Sequence, residues 1–369
     1  MAVKKLRGKV FVGMSGGVDS SVSAALLQEA GFDVTGVFMK VWQPDFLPCT
    51  WREEKLDAMR VSATLGIPLL TWDFEKEYKE GVADYMIREY RQGRTPNPDV
   101  MCNREVKFGA FFRRAMKEGA DFVATGHYAR IALVESGKLK VKSGDSIFRM
   151  LKGVDDAKDQ SYFLWTLNQP QLSKTFFPIG GYKKSQVRAL AKKFELPVAE
   201  KKDSQGLCFM GKLDVKDFLA HFIEEKEGNV VNEKGEIIGT HRGAHFYTLG
   251  ERHGFTVTKK TADDTPFYII AKDLGANTIT VAHQGRNPLQ CASRDIKVSQ
   301  ANFCKGTLPD IEKNYTAQVR YHGEQYKCRI TDINGTSFVL KLDKKAVFDR
   351  GQSMVLYDGN ECLGGGIIE

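Results

Sequence analysis

The sequence contains no Cys-x-x-Cys pair, although it has seven cysteines, at positions 49, 102, 208, 291, 304, 328 and 362. That spacing excludes a zinc ribbon, a thioredoxin-type motif and a compact cysteine-ligated cluster. An odd, scattered set in a chain of 369 residues also argues against a secreted disulfide scaffold. No apolar run approaches the length of a membrane-spanning helix. Internal repeats and low-complexity tracts are absent, and no apolar signal core follows the basic N-terminus. The seven histidines have no metal-ligand spacing. Neither sign of charge dominates, since the net charge is only +8, a lean toward polyanions that many unrelated enzymes share. These absences lead to the expectation of a cytoplasmic, multidomain protein with reduced thiols, no membrane segment and no protein-bound metal site.

What is present begins with an alternation of two periods. Strand patterns over residues 9–12, 34–41, 69–74 and 122–125 alternate with helical patterns over 19–30, 52–65, about 75–90 and about 105–118. Strands separated by helices of that length predict parallel βαβ units in a doubly wound, Rossmann-like α/β sheet. A hairpin-like stretch follows at 131–148, then helical patterns at 185–194 and 214–225. Beyond about residue 228, short strand candidates (267–271, 278–282, 316–321, 338–342, 353–356) are punctuated by Gly, Asn and Asp turns. Gly285 to Pro288 reads as a linker.

The strongest local motif is Gly13-Met14-Ser15-Gly16-Gly17-Val18-Asp19-Ser20, between the first strand and the first helix. Gly16 and Gly17 let the backbone approach an oxyanion closely. Ser15, Ser20 and Ser21 supply hydroxyls, and the opening helix offers free N–H groups and the positive end of its dipole. The motif lacks the lysine of GxxxxGK[ST] and the glycine placement of GxGxxG, so it is neither a Walker loop nor a dinucleotide fingerprint. A plain two-glycine turn is the alternative, and the strand–loop–helix context favours a phosphate cradle.

Two cysteines stand in chemically suggestive settings. Cys102 lies in Gly93-Arg-Thr-Pro-Asn97-Pro98-Asp99-Val-Met-Cys102, where two prolines stiffen the loop, and basic residues outnumber acidic ones over the wider stretch from Arg88 to Lys107. Placed just before a helix start and among cations, its thiol is expected to lean toward thiolate. Cys208 follows Lys201-Lys-Asp-Ser-Gln-Gly-Leu, again after basic residues. The two are about a hundred positions apart, so only the fold can bring them together, and spacing alone leaves a pairing open. If they meet, one thiol can carry sulfur as a persulfide and the other can resolve it by exchange. The remaining cysteines read as core or partly buried thiols, with no role for Cys49, and His127 as part of a nucleotide pocket.

The glycine loop resembles the pyrophosphatase loop of the N-type ATP pyrophosphatases. That resemblance implies ATP cleaved between its α and β phosphates, with Mg2+ on the phosphates. An ordered series extends it: Phe38-Met39-Lys40, Thr95-Pro-Asn97-Pro-Asp99 through Cys102-Asn103, Ala124-Thr-Gly126-His-Tyr-Ala129, Lys158-Asp159-Gln160-Ser-Tyr-Phe163, Cys208, Tyr247-Thr-Leu-Gly250 and Cys362-Leu-Gly-Gly-Gly. Over nearly the whole length this resembles the bacterial tRNA-specific 2-thiouridylases.

The resemblance implies thiolation of the wobble uridine of tRNAs for Lys, Glu and Gln at the anticodon stem-loop. Sulfur would come from a persulfide donor, a cysteine desulfurase or a relay protein. It further implies a catalytic domain over 1–215, a small central, mainly β, tRNA-binding domain over 216–288 and a C-terminal β-barrel over 289–369. Gly13 to Ser20, Met39 and Gly126 would bind ATP. Cys208 would take up the persulfide sulfur, Cys102 would attack it and leave a Cys102–Cys208 disulfide, and Asp99 would act as acid or base. Asn97, Pro98 and Asp99 would meet the target base, while Lys158, Asp159, Gln160, Arg320 and Tyr321 would touch tRNA. Glu251, where relatives usually carry Gln, departs from the pattern. A small-molecule amidating ligase of the same fold and a non-catalytic tRNA-binding protein are the alternatives.

Overall fold

The computed structural model describes residues 7–47, 51–134, 147–203, 208, 214–258, 265–283 and 293–369. Cys49, Cys291 and the expected linker at Gly285 to Pro288 lie outside the described residues. The first sheet contains β1 (Lys9–Met14), β2 (Asp33–Lys40), β3 (Leu69–Asp73) and β4 (Phe122–Ala124). After a hairpin of β5 (Ala129–Leu133) and β6 (Phe148–Lys152), the strand β7 (Thr175–Phe176) completes it, in the order β3-β2-β1-β4-β7, all parallel. β1 is apolar without alternation because helices cover both sheet faces, and Val10, Phe11 and Val12 are buried accordingly. The first helix, Val18–Glu29, starts directly after β1, so the glycine loop sits at the carboxyl ends of the strands where α/β sheets place ligands.

Two helical runs depart from the expected form. Residues 75–91 and 98–117 each pass through a π-helical stretch, Lys79–Ala83 and Cys102–Phe111. These stretches pack together, with Gly81 lying so close to Glu105 that a Cβ there would stand 2.9 Å from the Glu105 Cβ. The second run also begins earlier than expected. Asn97 caps it by accepting from Val100 N at 3.1 Å, and Pro98 occupies the first helical position, where a missing N–H costs nothing. Asp99 and Cys102 therefore belong to a helix, not to a loop before one. The helix expected over 214–225 is shorter, Val215–Ala220, capped by Asp214.

The central sheet contains β8 (Gly228–Val231), β9 (Ile237–His241), β10 (Thr256–Val257), β11 (Phe267–Asp273) and β12 (Thr278–His283), ordered β10-β9-β8-β12-β11. The C-terminal region contains β13 (Ser293–Phe303), β14 (Asn314–Gln318), β15 (Gln325–Asn334), β16 (Ser337–Ala346), β17 (Ser353–Asp358) and β18 (Glu361–Ile368). Pairing of β13 with β18 closes these six strands into a barrel. The Gly364–Gly366 run belongs to this closure: Gly364 has φ +137°, and a Cβ on Gly365 or Gly366 would collide with β17 or β13. Cys304, Cys328 and Cys362 are buried, as expected.

The hairpin β5–β6 joins the barrel. β6 pairs with β18 (Glu361 with Leu151, Cys362 with Met150), so the N-terminal and C-terminal regions share one sheet. The Tyr162 hydroxyl reinforces the junction by donating to Val319 O at 2.6 Å, and Asn302 Nδ2 donates to Trp165 O at 2.7 Å. Among the described residues no helix is long and apolar enough to cross a membrane.

Candidate active site

The glycine loop has the shape its composition implies. Gly16 has φ +68°, and a Cβ there would collide with the Glu54 carbonyl, while a Cβ on Gly126 would come within 2.6 Å of Ser20 N. Both positions therefore require glycine, because backbone presses against backbone. Gly17 stands at the N-cap of Val18–Glu29 without a side-chain cap, leaving helix N–H groups for an oxyanion. Ser20 Oγ is 3.2 Å from Ser15 Oγ, and Met39, on β2, packs so closely on Gly13 that a Cβ there would lie 2.9 Å from its Cε. Met14 and Val18 are buried and support the loop.

Charges around the loop are tied in a chain. Asp19 accepts from Lys184 Nζ at 2.8 Å and from the Tyr128 hydroxyl at 2.8 Å. Lys184 also pairs with Asp203 at 2.9 Å, together with Lys158 and Arg188, each at 2.8 Å. Partial burial works against the Asp203 charge, but Lys158 and Lys184 overcome it and hold its carboxyl down to about 2. Lys201 donates to Gly16 O at 3.0 Å and pairs with Asp57 at 2.8 Å. The segment entering the Cys208 region is thus fastened to the glycine loop.

Cys102 and Cys208 meet. Their sulfurs are within hydrogen-bonding reach of each other, both as free thiols. Cys208 N donates to Asp99 Oδ1 at 3.0 Å, and the Tyr78 hydroxyl donates to Cys208 O at 2.8 Å. Cys102 is fully buried and Cys208 half-buried. Burial opposes the ionisation expected of Cys102. Burial, then the Cys208 sulfur, push the Cys102 thiol well above its ordinary range. The bond from Cys102 and, against burial, the Lys107 ammonium bring Cys208 down to about 7. A helix start favours a thiolate only where water or a cation offsets desolvation, and Cys102 lies in the core. Burial also raises the Asp99 carboxyl, against the Cys208 N–H and Lys107.

The residues expected to face tRNA are engaged within the protein. Asn97 caps the helix. Asp159 accepts from Gly153 N at 2.9 Å and Ser161 Oγ at 2.9 Å, and Gln160 Oε1 accepts from Tyr128 N at 3.0 Å. Lys158 is held by Asp203. From the barrel, Tyr321 packs against Phe163 with tilted rings, 4.6 Å between centroids, and exposed Arg320 donates to Leu249 O at 2.5 Å.

Three family models tile the chain: a tRNA methyl transferase HUP domain over 8–212, a tRNA methyl transferase PRC-barrel domain over 216–283 and an aminomethyltransferase beta-barrel domain over 293–368. The tRNA-specific 2-thiouridylase MnmA of Enterococcus faecalis is 44% identical over 365 residues, covering 98% of this chain and 95% of that protein. The protein of the same name from Streptococcus thermophilus is 43% identical over 98% of this chain and 95% of its own length. The one from Streptococcus equi subsp. zooepidemicus is 42% identical over 100% of this chain and 97% of its own. The chain belongs to the tRNA-specific 2-thiouridylase family.

In this 2-thiouridylase two residues that the sequence does not single out for the thiol site stand at it. Lys107 reaches Cys208 and lies 3.5 Å from His127 Nε2, and His127 Nδ1 is 2.7 Å from Thr125 Oγ1. His127 therefore faces Lys107 at the thiol site. The spacing of Cys102 and Lys107 hides their relation. Five residues apart on an α-helix, they would point about 140° apart around the axis. The i→i+5 bonding of a π-helix stacks them on one face, and the π-helical stretch Cys102–Phe111 spans both.

Proposed function

We propose that this protein is an ATP-dependent tRNA sulfurtransferase that makes 2-thiouridine at the wobble position of tRNAs for Lys, Glu and Gln, releasing AMP and pyrophosphate. The observation that carries the reading is the contact between Cys102 and Cys208 beside Asp99, in the same domain as a phosphate cradle. A methyl transfer, the chemistry in the family models' names, gives no work to two facing thiols.

The loop of Gly13 to Ser20 would hold the ATP phosphates, with Met39 and Gly126 on the adenine side. The uridine C2 oxygen attacks the α-phosphate and pyrophosphate leaves, which makes the C2–O bond breakable. The Cys208 thiolate attacks the outer sulfur of a donor persulfide, and the donor thiolate departs. Cys102 then attacks the Cys208 sulfur. The outer sulfur leaves with its electron pair and bonds to C2, AMP departs with the C2 oxygen, and a Cys102–Cys208 disulfide remains for external thiols to reduce. Asp99, its proton affinity raised by burial, would exchange a proton with the base. Asn97, Pro98, Lys158, Asp159, Gln160, Arg320 and Tyr321 would form the candidate tRNA contact. An anticodon base reaches such a site by leaving its stack, which a single-stranded loop permits at low cost.

Among the described residues no cluster of three metal-binding side chains occurs. Mg2+ commonly binds through phosphates and one or two carboxylates, and Asp19 at the helix start would supply one by exchanging its pair with Lys184 for the ion. The ion would neutralise phosphate charge.

The test combines purified protein, ATP, a persulfide donor and transcribed tRNA, with 2-thiouridine read by mass spectrometry of nuclease digests. Product should require ATP and tRNA together and vanish in Cys208→Ser. Full thiolation by Cys208→Ser overturns the sulfur assignment. Pyrophosphate release with a small metabolite and no tRNA would make the protein a small-molecule ligase instead.

A further inference from the structure

Lys107 has no assigned part in the reaction above, yet it is the cation at the thiol pair. Cys208 is faced by Cys102 and Asp99 from the helical run over 98–117, by Tyr78 from Glu75–Tyr78, by Lys107 from the π-helical stretch, and by His127 beyond Lys107. Of these groups Asp99 and Tyr78 can only oppose a thiolate or stay neutral. His127 is kept neutral, first by burial and then by the Lys107 charge. Among the described residues, Lys107 alone remains to balance a negative sulfur. Burial works against its ammonium, but the facing Cys208 and Cys102 sulfurs hold it above the usual lysine range.

We propose that Lys107 is the counter-ion that makes Cys208, and not Cys102, the sulfur-accepting thiolate, and that Thr125 and His127 hold Lys107 in place for it. The geometry assigns each proton. A charged Lys107 is a donor only, so His127 Nε2, 3.5 Å away, accepts. Nδ1 then carries the ring proton and donates to Thr125 Oγ1 at 2.7 Å. That bond fixes the tautomer and points a lone pair at the ammonium. Lys107 is a positioning residue acting through Cys208. Because Cys102 stays protonated until Cys208 has reacted, the order of the two thiols is set before tRNA arrives.

This inference deepens the proposed sulfur transfer and rests on that reading for its meaning. Its test does not, because it needs neither ATP, tRNA nor a sulfur donor. The full-length protein is alkylated with iodoacetamide across a pH series, and the Cys208 peptide is quantified by mass spectrometry. The wild-type rate should rise to half its maximum near pH 7, and Lys107→Met should move that midpoint up by a unit or more, with alkylation at pH 7 falling about fivefold. Lys107→Arg, which keeps the charge, should keep the midpoint within about half a unit of the wild type. His127→Gln, which keeps an acceptor for Lys107 but cannot titrate, should leave the midpoint low, and a midpoint as high as that of Lys107→Met would make the imidazole the cation instead. A wild-type midpoint at the ordinary thiol value of about 8.5, or a Lys107→Met profile that superimposes on the wild type, overturns the proposal. The wild-type midpoint alone decides it if Lys107→Met does not fold. If the midpoint shifts as stated while the protein makes no 2-thiouridine, the sulfur-transfer reading fails and the counter-ion assignment stands.

Discussion

The Lys272 ammonium and the Asp349 carboxylate meet at 2.7 Å with side chains only 8% and 4% exposed, at the point where three parts of the chain come together. Lys272 lies on β11 of the central sheet and also donates to Gly93 O at 2.9 Å, in the stretch leading to Asn97. Asp349 lies between β16 and β17 of the barrel and accepts from Thr95 Oγ1 at 2.8 Å and Leu249 N at 3.1 Å. One carboxylate thereby fixes the segment that leads into the Cys102 helix against both neighbouring regions.

The pair is expected to fail asymmetrically when broken. Lys272→Met leaves a buried carboxylate without its cation and should destabilise the protein by about 3 kcal/mol. Lys272→Met combined with Asp349→Asn should recover part of that loss, because no charge is then left buried. Urea unfolding of both variants provides the check, and a double variant less stable than the single one contradicts the account.

The two thiols should close on each other without substrate. Cys102 and Cys208 face each other, and Cys208 is half-buried with its thiol lowered to about 7, whereas Cys304 and Cys362 face each other inside the core with Cys362 raised by burial. Exchange and oxidation proceed through exposed thiolate. Under a mild oxidant the Cys102–Cys208 bond should therefore form about tenfold faster than Cys304–Cys362. Non-reducing peptide mapping over time measures both, and equal rates would remove the basis for treating the first pair as reactive.

The parts of this structure legible in the sequence are those set by short-range physics. The apolar runs of β1 and β2 and the helix after Gly17 follow from periodicity, and the cradle follows from two glycines whose Cβ positions are taken by backbone. The pairing of β6 with β18 is not legible, since no local pattern says that a hairpin in the first half completes a sheet in the second. Pro-Asn-Pro-Asp reads equally as a stiff loop and as a capped helix start, and the Asn97 bond to Val100 N decides for the helix. Sequence alone does not show that burial opposes a Cys102 thiolate, because it shows nearby basic residues but not burial. Lys107 stays hidden because the period it obeys is that of a π-helix.

Asp203 should give the protein a contribution to stability that disappears in acid. Its folded carboxyl, at about 2, lies below the ordinary carboxylate value. The contribution is therefore fully present above about pH 4 and is lost as pH falls through the folded value. The side chain is partly exposed and screened, so Asp203→Asn should cost only about 1 kcal/mol at neutral pH. Chemical denaturation at pH 7 and pH 3 tests this: the gap between wild type and variant should narrow at the lower pH, and a constant or widening gap would refute the assignment.

Gly126 offers the sharpest test of the cradle. A Cβ at this position would approach Ser20 N to 2.6 Å and Asp19 C to 2.8 Å, both backbone atoms at the start of the first helix. Neither can swing aside as a side-chain tip can, so Gly126→Ala must displace the helix start whose N–H groups are proposed to face the phosphates. ATP affinity should fall at least about tenfold, which corresponds to about 1.4 kcal/mol. Gly181, where an added Cβ would have nothing within 4 Å, is the matched control, and Gly181→Ala should bind ATP as the wild type does. Calorimetric titration of ATP into the three proteins distinguishes the cases, since wild-type affinity in Gly126→Ala would mean that the nucleotide does not rest on this loop.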